Sequence, residues 1–193
     1  MDLHRIGIKF FAGADSTAEL IEFIPIFHRW IQNRALDLLL IDVADYSHIK
    51  AGPGIVLVAH EGNFSVDETG DRRGLLYYSK HEIPGSPTER ILKAAVNALK
   101  ACRLLEQDGE INSKITFPGN ELQIFSNDRL QAPNTGETWS LMEPAIREIL
   151  GKLFPGQDCS IEREHDPRER FQVTVKVPEA VAVDTLLQRI SNE

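Results

Sequence analysis

The stretch "IDVADYSHIKAGPGIVLVAHEGN", Ile41 to Asn63, decides how this chain folds. Two apolar runs frame it, "LLLIDVAD" ending at Asp45 and "IVLVAHEG" starting at Ile55, each with the Ile, Val and Leu content of a strand. Nine residues, Tyr46 to Gly54, lie between them. A parallel crossover needs a dozen or more, so the two strands pair antiparallel. With the loop centred near Lys50, Asp42 falls opposite Val58, and His60 becomes a diagonal neighbour on the same face. The Gly52-Pro53-Gly54 corner reads as a sharp turn entering a buried strand.

Outward from this hairpin, four segments carry helical periodicity. "STAELIEFIPIFHRWIQ" opens with Ser16 and Glu19 at capping-box spacing, and Leu20, Ile24, Phe27 and Ile31 form one stripe. "SPTERILKAAVNALKACRLLE" has Ser86 as cap, Pro87 at the first helical position and Glu89 closing the box. Its stripe is Ile91, Ala95, Ala98, Cys102 and Leu105. "NTGETWSLMEPAIREILGKLF" and "PEAVAVDTLLQRI" are the third and fourth. Strand-like runs lie between them: "RIGIKFF", the two framing runs, "GLLYYSKHE", "KITF", "ELQIF", "CSIEREH" and "RFQVTVKV".

The order strand-helix-strand-strand-helix occurs twice. Pro25 and Pro144 both fall inside helical patterns, where proline kinks a helix. "LIEFIPIFHRWI" and "WSLMEPAIREIL" share apolar positions around them. The fold class is therefore α+β with mainly antiparallel sheets. It has two tandem halves, 1–117 with one extra strand and 118–193 without a final strand, divided at "FPGN". If "KITF" closes the first half, that half resembles a ferredoxin-like βαββαβ unit, and the arrangement is an internal duplication.

Bulk composition excludes several function classes. The 193 residues are 42 % hydrophobic and 26 % charged, as in an ordinary globular protein, with a formal net charge of −8. No basic run with interleaved aromatics is present, so nucleic acid is not an expected partner. No apolar run approaches the roughly 18 residues of a membrane span. The N-terminus lacks the marks of a secretory signal, so a cytoplasmic location is expected. Cys102 continues a helical stripe and reads as a buried reduced thiol. The histidines show no metal-ligand spacing, and no cofactor is named by any motif.

The candidate site lies on the opening hairpin. Asp42 is flanked by Ile41 and Val43, and a carboxylate buried there needs a partner or a raised pKa. The next hairpin turns near "ETGD", which sets Ser79 opposite His60. In that register Asp42, His60 and Ser79 share a face across three adjacent strands, the residue types of an acid, a base and a nucleophile. Tyr77 or Tyr78 approaches His60 on its own side. Two glycine loops do not read as phosphate cradles. "AGPG" precedes a strand, and the "AGADS" loop, Ala12 to Ser16, carries an acid that repels anions.

Two readings of function follow. In the first, the chain is a small-ligand-binding or protein-interaction module, with Asp42, His60 and Tyr77 as ligand contacts and with self-association through a sheet face or edge. The alternative is an acid-base or hydrolytic enzyme with its site near Asp42 and His60.

Overall fold

The computed structural model describes residues 5–191. Eight strands form one sheet: β1 (Ile6–Phe11), β2 (Leu40–Tyr46), β3 (Gly54–Ala59), β4 (Gly62–Asp67), β5 (Gly74–Ser79), β6 (Glu121–Ser126), β7 (Ser160–Arg163) and β8 (Gln172–Lys176). Four helices accompany them: α1 (Phe23–Asn33), α2 (Pro87–Gln107), α3 (Gly136–Leu153) and α4 (Val183–Ser191). The strand order is β2-β3-β4-β5-β1-β6-β8-β7. Every neighbouring pair is antiparallel, so the fold is α+β with an antiparallel sheet.

Period-two alternation sorts the strand residues onto two faces. Ile6, Ile8 and Phe10 of β1 share a face with Leu75 and Tyr77 of β5 and with Leu122 and Ile124 of β6. All of these join one hydrophobic core with the helices. Helix α1 rests on β2 and β3, α2 rests on β1 and β5, and α3 and α4 pack against α2. The other face carries Lys9, Val56, Ser65, Leu76 and Phe125, which are buried but stand outside that core.

Helix α2 follows its sequence signals closely. The Ser86 hydroxyl accepts from the Glu89 amide at 3.3 Å, and the Glu89 carboxylate accepts from the Ser86 amide at 2.6 Å. Ile91, Ala95, Ala98, Cys102 and Leu105 are all buried. Burial pushes the Cys102 thiol well above its ordinary value of 9.0, which keeps it protonated and unreactive.

Three local expectations are corrected. Residues 114–117, "KITF", are not a strand, and β6 takes the place beside β1. Pro25 stands at the third residue of α1, where its missing N–H is one the helix leaves unbonded in any case, whereas Pro144 lies inside α3. The capping box near the N-terminus is built by Glu19 and Glu22 around a single 3-10 turn, Leu20–Glu22. Ser16 instead accepts from the Thr116 amide.

The opening hairpin keeps its antiparallel pairing, and Asp42 does lie opposite Val58. Gly54 starts β3 at φ +63, and a Cβ there would come within 2.0 Å of the Val66 carbonyl oxygen. The corner therefore needs a residue without a side chain, for handedness and for space.

Candidate functional site

Strand β4 alters the geometry expected around His60. Residues 62–67, "GNFSVD", alternate Phe64 and Val66 toward the core with Asn63, Ser65 and Asp67 away from it, and they insert between β3 and β5. Ser79 consequently pairs with Gly62, not with His60. His60 itself lies in the short turn after β3, with an exposed ring 5.3 Å from that of His81. Asp42, His60 and Ser79 are not brought together.

Asp42 is exposed because β2 carries a bulge between Leu40 and Asp42. The extra residue reverses the alternation, so Leu40 and Val43 pack against the core while Asp42 turns away from it. Its carboxylate accepts from the adjacent Val43 amide at 2.8 Å. It makes no ion pair with His60. Tyr77 faces the core, where burial pushes its phenol above the ordinary value and a hydrogen bond with Asn97 works against that. The Ser79 hydroxyl is buried without a hydrogen-bond partner among the described residues.

A cleft opens at the other end of the same strands. It encloses about 710 Å³. Four segments wall it: residues 11–16 from the end of β1 onward, residues 47–51 between β2 and β3, residues 68–73 between β4 and β5, and residues 118–121 leading into the start of β6. The two glycine loops of the sequence, "AGADS" and "AGPG", thus meet in one place through Gly13 and Ala51. Ala51 and Asp71, both lining the cleft, hold positive φ of 51° and 56°. Non-glycine residues rarely adopt that conformation, and such strain concentrates at binding sites.

Most charges around the cleft are neutralised by one another. Arg72 forms a two-pronged bond to Glu121 at 2.7 and 2.5 Å and lies 3.9 Å over the Phe11 ring. Burial alone would raise the Glu121 carboxyl, but Arg72 and Lys176 overcome it and hold the group below its ordinary value. Arg73 binds Glu68 at 2.9 and 2.6 Å and also donates to the Ala18 carbonyl. Lys50 and Asp71 remain without a side-chain hydrogen bond or ion pair among the described residues.

Under the cleft floor lies an ion pair that sequence reasoning missed. Lys9 reaches past Gly74 to Asp67 at 2.6 Å, and the two side chains are 2 % and 6 % exposed. The Lys9 ammonium also donates to the carbonyls of Arg72 at 2.5 Å and Thr69 at 3.5 Å. Asp67 in turn accepts from the Thr69 amide and hydroxyl. The pair therefore sets the backbone of the β4–β5 turn, which carries Asp71, Arg72 and Arg73. A lysine inside the apolar run "IGIKFF" is the available signal; its partner stands 58 residues away, in β4.

Among the described residues no helix is long and apolar enough to cross a membrane. No known protein family, curated protein or solved structure matches the chain.

Proposed function

We propose that this chain is a binding module that holds a small polar ligand of both charge signs in the cleft at the end of the sheet. The observation that carries the reading is the pair of unmatched side chains, Lys50 and Asp71, in a lining whose other charges are matched. A cation and an anion on separate loops suit a zwitterion, and the flanking arginines already have Glu68 and Glu121 as partners. The volume lies within the roughly 300–1,000 Å³ range of small-molecule sites. The strained Ala51 and Asp71 backbones favour the same place.

Amide NMR titration with free amino acids and betaine, with acetate and ammonium as singly charged controls, tests this. Saturable shifts are expected at Gly13, Lys50 and Asp71 for a zwitterion and not for the controls. Lys50→Met and Asp71→Asn should each weaken binding by about tenfold or more, the size of one charge-assisted contact. Silence at these amides, or affinity indifferent to both variants, removes the reading.

We further propose that the two halves are a duplicated ferredoxin-like unit. In each, the first strand is followed by a helix and a meander, and it pairs with the last strand of that meander: β1 with β5, and β6 with β8. The position of a terminal strand beside β1 is filled by β6, and the one beside β6 by β1. Each half then needs the other to cover an edge. Fragments 1–117 and 118–193 should copurify when coexpressed; two fragments that fold and remain apart would end this proposal.

A further inference from the structure

The end of the sheet away from the cleft holds two histidines close together. His60 occupies the β3–β4 turn, and its amide donates to the Leu39 carbonyl at 2.9 Å. His81 follows β5, where the Lys80 amide donates to the Glu61 carbonyl at 2.9 Å and the Lys80 ammonium to the Ala59 carbonyl at 2.7 Å. With Gly62 paired to Ser79, these bonds tie the turn to the end of β5. The rings of His60 and His81 stand 5.3 Å apart between centroids, inclined at 39°, and both residues are exposed.

That separation has a chemical meaning. A zinc ion about 2.0–2.1 Å from a ring nitrogen lies about 3.2 Å from the ring centre; two rings then sit about 5.2 Å apart at a tetrahedral angle and about 4.5 Å apart at a right angle. The observed 5.3 Å agrees with the tetrahedral value. Tetrahedral nitrogen coordination is zinc's preference, while adjacent ligands of a square-planar ion sit at the shorter spacing. We propose that His60 and His81 together bind one zinc ion, with water in the two remaining positions. The nearby acids are otherwise engaged: the Glu61 carboxylate accepts from the Leu39 amide and Glu82 pairs with Arg90. No group of three His, Cys, Asp or Glu side chains is poised for a metal among the described residues, so the site has two protein ligands and is open to a third from outside.

Calorimetric titration of the chelator-stripped full chain with zinc chloride tests the site. One zinc per chain is expected. Loss of a ligand costs at least the roughly tenfold in affinity seen for outer-shell changes, so His60→Ala and His81→Ala should each weaken binding by that much or more. His165→Ala should bind as wild type does. His81→Gln, which keeps a polar side chain at the exposed position, should behave as His81→Ala does, and all four variants should melt as wild type does without metal. Imidazole NMR should show zinc perturbing His60 and His81. Absence of zinc binding in the wild type, or wild-type affinity in either single alanine variant, overturns the proposal.

Discussion

Asp67→Ala is expected to cost about 3–5 kcal/mol of folding stability, because it leaves the Lys9 ammonium buried without its counter-charge. The side chain of Lys9 is 2 % exposed, so water cannot replace the lost carboxylate. Burial holds the Lys9 ammonium below its ordinary value of 10.5, while Asp67 pulls it upward. A base whose folded pKa lies below its unfolded one makes stability rise with pH between the two values, since the unfolded chain keeps a proton that the folded protein has released. Without Asp67 the folded value drops further and that window widens downward. The loss caused by Asp67→Ala should therefore shrink as the pH is raised from neutral into the alkaline range. Combining Lys9→Met with Asp67→Leu removes both charges and should recover part of the loss, although the Thr69 and Arg72 carbonyls lose a donor. Urea unfolding of the single and double variants across pH measures all three effects. A single-variant cost below about 1 kcal/mol, in the range of an exposed pair, would show that the pair is solvated.

Leu105→Ala should cost about 2–5 kcal/mol, the range for emptying a filled core position. Leu105 is completely buried in the last turn of α2 and belongs to the stripe that faces the sheet and α4. For a chain of this size each kilocalorie lowers the melting temperature by about 2–4 °C, so the change is readable by calorimetry as well as by denaturant. The spread within the range reports how far the surrounding core collapses into the space. A measured cost under about half a kilocalorie would be that of a surface position and would place the stripe against solvent.

The difference between these two predictions follows how far apart the responsible residues lie in the chain. Leu105 belongs to a pattern contained within 21 residues: a cap, a proline and a repeat at three and four positions. Such signals act through neighbours along the helix, so they can be read without knowing what the helix packs on. Lys9 and Asp67 come together only because β5 lies between β1 and β4. Nothing local to either residue announces that partner.

The candidate site divides in the same way. The antiparallel hairpin and the pairing of Asp42 with Val58 follow from a nine-residue connection that is too short for a crossover. The side of the sheet that Asp42 faces does not, because one bulge at Ile41 reverses every later side chain of β2. The short strand Gly62–Asp67 alternates cleanly, yet it is bounded by a two-residue turn, His60 and Glu61, that resembles the polar end of the strand before it. That strand sets Gly62, rather than His60, across from Ser79 and brings His60 close to His81.

By itself the sequence determined the α+β class, the four helices, the capped start of α2, the turn at Gly54 and the antiparallel sense of the opening hairpin. These depend on backbone sterics, capping and periodicity, which act over a few residues. Tertiary structure alone decided that β1 and β6 pair within one sheet, that Lys9 finds Asp67, and that segments beginning at residues 11, 47, 68 and 118 enclose one cleft. Those outcomes require closing long stretches of chain, and their free energy resides in contacts that exist only once the whole sheet has assembled.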